Sequence, residues 1–392
     1  MQFTFCKLQN VKYSFMKKPL TPFPTTGYYG SHYFCDREKE TQKILKNIRG
    51  GQSTILTSPR RIGKTALIHH VFEKLPRGTR GIYFDILPTE NVSGFLNELA
   101  SAVIKNVPEK KRAGRKVWEF IKSLKTTVSF DMLTGSPQVS FTLKENEINL
   151  QIEKILSFLE KQDEKYVIAI DEFQQIINYP EKNTDSWLRT IIQKLKNVVF
   201  IFAGSQQHLL NEMFTVPSKP FFNSASLLKI EKIESGIYKS FIKNHFIHNK
   251  RKVDDKVLED ILDWTRCHTF YVQLICNRIF LADVIDIKAQ TWKEQARILL
   301  EEQEPVFFNY RNMLTRPQWD LLKAIALEKE LYEPTGMEFI LKYSLGNPST
   351  VLRSLEAITR MELIYYDFNK KGKKYYSMND LLFMRWMEGY NL

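Results

Sequence analysis

Cysteine is scarce in this 392-residue sequence, and its placement excludes the usual cysteine-based frameworks. The four cysteines, Cys6, Cys35, Cys267 and Cys276, form no C-x-x-C pair, so neither a zinc site nor a disulfide framework is predicted. Long apolar runs are also missing, since none approaches the ~20 residues that a membrane helix needs. The N-terminal MQFTFCKLQNVKYSFMKK has no apolar core followed by small residues, which predicts no secretory signal. We therefore expect a cytoplasmic protein with no membrane partner.

Positive charge is in excess, and the excess is confined to the N-terminal part. The sequence carries 57 Lys and Arg against 44 Asp and Glu, a net charge of +13. Residues 1–150 carry 24 against 12, whereas residues 151–392 are close to balance with 33 against 32. The densest basic run, residues 105–125, is interpreted either as a solvated helical face or as an electrostatic footprint for nucleic acid or an acidic partner.

The stretch TSPRRIGKTALIHHVF, residues 57–72, follows the phosphate-loop pattern G-x-x-x-x-G-K-[ST] except that Ser58 stands at the first glycine. Gly63 allows close backbone approach, Lys64 supplies charge for the β and γ phosphates, and Thr65 supplies a hydroxyl for Mg²⁺. A β-prone strand precedes the loop and an apolar-periodic helix follows it, as phosphate binding at a helix N-terminus requires. The predicted nucleotide-binding segment comprises Ser58, Pro59, Arg60, Arg61, Ile62, Gly63, Lys64, Thr65 and Ala66.

Two further strands are predicted to bring polar residues to this loop. Residues 165–170 read as a buried strand that ends in Asp171 and Glu172, and such an acid pair lies beside the phosphate loop in parallel sheets. Asp171 is expected to hold Mg²⁺ together with Thr65, and Glu172 to orient and polarise the attacking water. Residues 197–203 form a third strand, and Ser205 after it is interpreted either as a γ-phosphate sensor or as a helix N-cap.

Five segments, FCDREKETQKIL, TSPRRIGKTALI, YVIAIDEFQQI, IFAGSQQHLLNEMF and CHTFYVQ, occur in an order that resembles a known family. This family is the archaeal-type P-loop ATPases, an AAA+/STAND-like branch also common in Bacteroidetes-type bacteria, with a C-terminal winged helix. The resemblance implies ATP and Mg²⁺ as cofactors. It places Phe34 and Arg37 near the base of the nucleotide, and His268 in a lid motif that reads G-H-P-Y in relatives and C-H-T-F-Y here. Residues 219–225, KPFFNSA, contain no arginine, so no arginine finger is predicted there.

The predicted fold class is α/β: a P-loop NTPase parallel sheet with a helical lid and a C-terminal winged-helix domain. We expect an N-terminal arm at residues 1–30 and an ATPase core at 31–228, with a hairpin insertion at about 126–143. The lid is expected at 229–305 and the winged helix at 306–392.

The winged helix leaves its partner open from sequence alone. Arg353 and Arg360 lie on its third helix, and the wing is basic through Lys370, Lys371, Lys373 and Lys374. However, residues 315–392 carry 11 Lys and Arg against 10 Asp and Glu, and non-specific DNA affinity depends on several phosphate contacts. DNA and a protein partner both remain alternatives, with the protein slightly favoured.

The motifs together predict a Mg²⁺-dependent ATPase, slow or partner-dependent, whose nucleotide state moves the lid and winged helix against the core. A non-catalytic nucleotide-dependent switch or scaffold is one alternative, and an ATP-controlled DNA-binding regulator is another. A homo-oligomer is left open. The expected small-molecule partners are ATP and ADP.

Overall fold

The computed structural model describes residues 18–107, 112–124, 126–369 and 371–389. Residues 1–17 of the predicted N-terminal arm and Lys370 of the predicted wing lie outside the described residues. The first 229 residues contain these helices and strands in chain order: α1 (Glu38–Arg49), β1 (Thr54–Thr57), α2 (Lys64–Glu73), β2 (Thr79–Asp85), α3 (Val92–Asn106), α4 (Arg112–Ser123), β3 (Thr126–Phe130), β4 (Pro137–Phe141), α5 (Glu145–Glu160), β5 (Lys165–Asp171), α6 (Thr184–Ile192), β6 (Val198–Gly204), α7 (Gln207–Thr215) and β7 (Ser226–Lys229).

Five of these strands form one parallel sheet in the order β2-β5-β6-β1-β7. Strand β5 is buried on both faces: Ile168 and Ile170 belong to one apolar core, and Val167 and Ala169 to the core on the other side. This double burial explains why the strand reads as an unbroken apolar run rather than an alternating one. Because β5, β6 and β1 are parallel neighbours, their carboxyl ends meet at one edge of the sheet.

An antiparallel hairpin of β3 and β4 packs beside α3. The amide of Val139 donates to Ser101 Oγ at 2.8 Å, and a single aspartate, Asp131, organises the turn by accepting hydrogen bonds from the backbone of Leu133 and Thr134. Met132 and Leu133 at the tip are fully exposed. The hairpin is therefore a separate two-stranded sheet whose tip is exposed, while Val139 is buried in the apolar core.

The remaining described residues form a helical region, which we call the lid, and the winged helix. Its elements are α8 (Ser235–His248), β8 (Lys252–Val253), α9 (Asp255–Trp264), α10 (Thr269–Leu281), β9 (Asp286–Ile287), α11 (Ala289–Met313), α12 (Arg316–Glu328), α13 (Met337–Tyr343), α14 (Pro348–Arg360), β10 (Ile364–Phe368), β11 (Lys374–Met378) and α15 (Leu381–Met387). Helix α11 continues past residue 305, where the lid was expected to end, because Phe307 is buried and stacks on Phe383 of α15 at 5.0 Å. One continuous apolar core joins the lid to the winged helix.

Three helices followed by the β10–β11 hairpin give the winged-helix order that the sequence predicts. Helix α14 begins at Pro348, and the side chain of its N-cap Asn347 accepts a hydrogen bond from Thr350 N at 2.9 Å. The predicted α/β fold class with a C-terminal winged helix is confirmed. Among the residues that the structure describes, none of the helices combines the length and apolarity needed to cross a membrane.

Candidate nucleotide-binding site

The loop between β1 and α2 has the backbone that a phosphate loop needs. Gly63 precedes α2 with a φ of 102°, a left-handed conformation that side chains disfavour. A Cβ built on Gly63 would lie 4.0 Å from Thr269 Cγ2 of the lid, so the lid packs directly over the loop. Ser58, where the motif has glycine, is fully buried and its φ is not positive. The backbone at Ser58 therefore does not require glycine.

Lys64 is folded back onto the loop that carries it. Its Nζ donates to Ser58 O at 3.3 Å, Ser58 Oγ at 3.2 Å and Pro59 O at 3.3 Å. Burial lowers the pKa of Lys64, and the nearby carboxylates Asp171 and Glu172 act in the opposite direction. Neutral acceptors at these distances bind an ammonium less strongly than a charged oxygen would, so a phosphate group can replace them.

Asp171, at the end of β5, is joined to the loop through Thr65. Thr65 Oγ1 donates to Asp171 Oδ2 at 2.7 Å, and Tyr83 of β2 donates to the same oxygen at 3.0 Å. Burial and the Asp171 carboxylate raise the pKa of Tyr83 far above its usual range, so the tyrosine remains a donor. The register that pairs β2 with β5 puts Tyr83 beside the acid pair, a placement that the local sequence does not reveal.

Glu172 is held by residues of two other elements. Its Oε2 accepts hydrogen bonds from Gln174 Nε2 at 2.6 Å, Ser205 N at 3.0 Å and Ser205 Oγ at 2.8 Å. Among the described residues, none is hydrogen-bonded to the second oxygen, Oε1. Gly204 leaves room for this arrangement, because a Cβ there would lie only 2.0 Å from Gln174 Oε1. The N-cap of α7 is Gln206, so the N-cap interpretation of Ser205 is wrong. Ser205 instead binds the Glu172 carboxylate with its backbone N–H and its hydroxyl.

The winged helix reaches the same edge of the sheet. Glu362, between α14 and β10, accepts from Arg60 Nη2 at 2.5 Å with Oε2 and from Gln206 Nε2 at 2.5 Å with Oε1. Lys229 at the end of β7 pairs with Asp367 of β10 at 2.8 Å. The winged helix is therefore docked on the core by contacts that include the phosphate loop itself.

A cavity of about 1120 Å³ is lined by the phosphate loop, the acid pair and Ser205. It extends to the segment at residues 24–29, where Tyr28 donates to Glu73 and lies 2.8 Å from His70 Nδ1. Most predicted site residues line the cavity: Phe34, Arg37, Arg60, Arg61, Ile62, Gly63, Lys64, Thr65, Ala66, Asp171, Glu172 and Ser205.

Two of the residues placed by resemblance, Phe34 and Arg37, line the cavity from the segment that precedes α1. Phe34 stacks on His70 with ring centroids 4.4 Å apart. Arg37 has a φ of 80°, and its guanidinium is buried, with Nη1 3.0 Å from Glu40 Oε1. Its Nη2 has no partner within the described part of the chain, which leaves a donor available to a ligand.

Three of the predicted residues do not line the cavity: Ser58, Pro59 and His268. Ser58 and Pro59 contact the site indirectly, because their carbonyl oxygens accept hydrogen bonds from Lys64 Nζ. His268 precedes α10 and packs on Tyr271 with rings 4.8 Å apart. Burial and the positive charge of Lys232 lower the pKa of His268 to about 3. The histidine is thus neutral and supports the lid turn against the loop.

Comparison with known proteins shows which family models match this chain. A family model described as "ATPase domain predominantly from Archaea" matches residues 34–272, and another, "Probable winged helix domain", matches residues 305–389. Among curated proteins, a search finds no significant match.

Solved structures share the fold at low sequence identity. A Walker-type ATPase of Pyrococcus abyssi has a TM-score of 0.64 at 16% identity, with 94% of this chain and 100% of that chain covered. The ORC2 protein of Aeropyrum pernix, solved as ADPNP and ADP complexes, has a TM-score of 0.54 at 11% identity over 90% and 92%. The ORC1 protein of the same organism, solved with DNA, has a TM-score of 0.50 at 14% identity over 95% and 97%. Because the ATPase-domain model matches more than half of it, the chain belongs to the family of ATPase domains found predominantly in Archaea.

Proposed function

We propose that this protein binds ATP and hydrolyses it to ADP and phosphate with Mg²⁺, slowly or only with a partner. The observation that carries the proposal is the Thr65–Asp171 contact, which lies in one cavity with the buried Lys64 and the fixed carboxylate of Glu172. A phosphate loop, a metal-binding acid and a water-orienting acid are the three parts that phosphoryl transfer to water requires.

The donor set fits Mg²⁺. Thr65 Oγ1 and Asp171 Oδ2 are hard oxygen ligands 2.7 Å apart, close to the edge of about 2.9 Å of an octahedron with Mg–O bonds of ~2.05 Å. Thr65 and Asp171 would hold the ion, which would supply positive charge to offset the negative charge that develops on the phosphate oxygens. Thr65 would release its hydrogen bond to Asp171, while Tyr83 would keep the carboxylate in place.

Glu172 is proposed as the group that accepts the proton of the attacking water. Its Oε2 is occupied by three donors, so Oε1 is the atom that receives the proton as the water oxygen bonds to the γ-phosphorus. The bond from that phosphorus to the β–γ bridging oxygen breaks in the same reaction. Ser205 and Gln174 are positioning residues, because they act only through Glu172.

Slow turnover is supported by the contacts that the three arginines lining the cavity make with other residues of the protein. Arg60 is paired with Glu362, Arg61 lies over the Phe270 ring at 4.6 Å, and Arg37 is paired with Glu40. Arg60 and Arg61 would have to leave these contacts before they could stabilise charge on the γ-phosphate, and in Arg37 only Nη2 is without a partner among the described residues. The Arg60–Glu362 pair further supports coupling of nucleotide state to winged-helix movement, because a phosphate and Glu362 would compete for one guanidinium.

A protein is favoured over DNA as the partner of the winged helix. Two wing lysines are engaged within their own domain: Lys373 pairs with Glu333 at 2.7 Å, and Lys374 lies over the Tyr366 ring at 3.9 Å. This leaves few cations for phosphate contacts. A gel shift at low salt tests the choice: DNA binding that weakens when Lys371, Lys373 and Lys374 are neutralised would overturn it.

The decisive experiment compares Lys64→Ala and Glu172→Gln with the wild type by calorimetry and phosphate release. Lys64→Ala should lose ATP and ADP binding. Glu172→Gln should bind ATP with Mg²⁺ but show no turnover above background. Glu119→Gln, an exposed glutamate on α4, is the matched control and should behave as wild type. Absence of saturable ATP binding to the wild type would refute the proposal, and turnover that persists in Glu172→Gln would remove Glu172 from its role.

A further inference from the structure

We propose that Gln273 determines the base specificity of the site by accepting a hydrogen bond from the 6-amino group of adenine. The inference rests on the proposed function, because it takes ATP as the nucleotide. It adds a residue that the phosphate loop and acid pair do not reveal, and a reason why a guanine or hypoxanthine base would be rejected.

Gln273 lies at the end of the cavity that faces away from the phosphate loop. Helix α10 begins against the loop, with Phe270 N donating to Arg61 O at 3.3 Å. Gln273 lies one turn beyond Thr269 on the same helical face, so it is ~6 Å farther along the axis. Its side chain is only 8% exposed and lines the cavity. A nucleotide whose phosphates occupy the loop would direct its base towards this region.

The orientation of the Gln273 amide follows from counting protons. The hydroxyl of Tyr238, which is fully buried, donates its single proton to the carbonyl oxygen of Thr269 at 3.3 Å. Its oxygen can therefore only accept from Gln273, which lies 3.4 Å away. This contact requires the Gln273 amide to point Nε2 towards the Tyr238 hydroxyl, so that Oε1 points away from it. Oε1 is buried, and no described residue donates to it.

A buried acceptor without a donor is unfavourable, so a ligand that supplies an N–H group binds better than one that does not. The base of ATP has one such group, the 6-amino group. GTP and ITP carry a carbonyl at this position, which would place two acceptors against each other. The unpartnered Nη2 of Arg37 is also buried and lines the cavity, and it is suited to a ring nitrogen of adenine, which accepts.

The test measures binding of ATP and ITP with Mg²⁺ to the wild type, Gln273→Leu and Tyr238→Phe by calorimetry. ITP is chosen because its base carries a carbonyl in place of the 6-amino group and differs otherwise only in the proton on N1. The wild type should prefer ATP by about 10- to 100-fold, the range expected for an unmet buried acceptor. Gln273→Leu should lose most of this preference through weaker ATP binding. Gln193→Leu, an exposed glutamine after α6, is the matched control and should keep the full preference.

Tyr238→Phe separates a specific role of the amide from general packing. Without the hydroxyl, the amide is free to turn and present Nε2 to a carbonyl, so ITP binding should strengthen while ATP binding stays within about threefold of wild type. A merely structural role of Tyr238 would weaken both nucleotides equally. Because phenylalanine keeps the ring, this variant remains informative if Gln273→Leu does not fold.

The outcomes distinguish this inference from the proposed function. If the wild type binds neither nucleotide, both are overturned. If the wild type binds ATP in a Lys64-dependent manner but binds ITP equally well, the base-reading role alone is overturned. An ATP preference that survives in both Gln273→Leu and Tyr238→Phe would also overturn it.

Discussion

The substitution Glu362→Gln tests whether the docked winged helix competes with nucleotide for the phosphate loop. Glu362 binds Arg60 with one carboxylate oxygen and Gln206 with the other, both at 2.5 Å. Glutamine would keep an acceptor for Gln206 but would turn an amide N–H group towards the Arg60 guanidinium. The ion pair would be lost while the size of the side chain is preserved.

The size of the effect follows from the exposure of the pair. The side chains of Arg60 and Glu362 are 44% and 33% exposed, so solvent screens the pair and its loss costs roughly 0.2–1 kcal/mol. The repulsion between the new amide N–H group and the Arg60 guanidinium adds to this cost. We take a total loss of about 1 kcal/mol in contact free energy, which corresponds to about fivefold in an equilibrium constant. If nucleotide must displace Glu362 from Arg60, ATP affinity should increase by up to this factor in the variant.

Calorimetry with ATP and Mg²⁺ on four proteins decides the question: wild type, Glu362→Gln, Arg60→Gln and the double variant. The increase caused by Glu362→Gln should disappear when Arg60 is already replaced, since the two changes act on one contact. Glu330→Gln, which breaks the 3.3 Å pair with Arg266 without removing a partner of Arg60, serves as the control. Unchanged or weaker ATP binding in a well-folded Glu362→Gln protein would refute competition by the winged helix.

Three further perturbations have defined outcomes. Gly204→Ala should force Gln174 away from Glu172, so single-turnover phosphate release should fall about 10-fold with ATP affinity within twofold, and a matching loss of affinity would argue against it. Asp171→Asn should abolish the dependence of ATP affinity on Mg²⁺, as measured by calorimetry with and without EDTA. The pKa of His268 is lowered to about 3, so the unfolded chain takes up the proton first and stability is lost as pH falls below 6.5. Between pH 7 and 5, urea unfolding of the wild type should lose about 2 kcal/mol more than that of His268→Asn, and equal losses would contradict the burial of a neutral ring.

The parts of the site that could be read from the sequence are those written in short consecutive stretches. Gly63, Lys64 and Thr65 are adjacent, and the acid pair ends an apolar strand, so local pattern alone places them. Serine fits the backbone at position 58 because its φ is not positive, and its hydroxyl is an additional contact for Lys64.

The parts that were missed depend on chain segments that meet only in the folded protein. Glu362 lies 302 positions after Arg60, and its contact exists because the winged helix docks on the core. Tyr83 reaches Asp171 only through the strand pairing of β2 and β5. The contacts of His268 could not be read from its motif position either, because its ring meets Tyr271 and the backbone of Arg60 only where the lid packs on the phosphate loop.

The shared core of the lid and winged helix couples their movements. Helix α10 presents Gln273 to the cavity, and two residues earlier it presents Tyr271, whose hydroxyl contacts Asp380 Oδ1 and Leu381 N, both at 3.1 Å. Packed side chains are continuous from α10 to α15, so the two helices cannot move independently. A tilt of α10 would therefore move the winged helix with it, and this movement would strain the contacts that Glu362 and Asp367 make with the ATPase core.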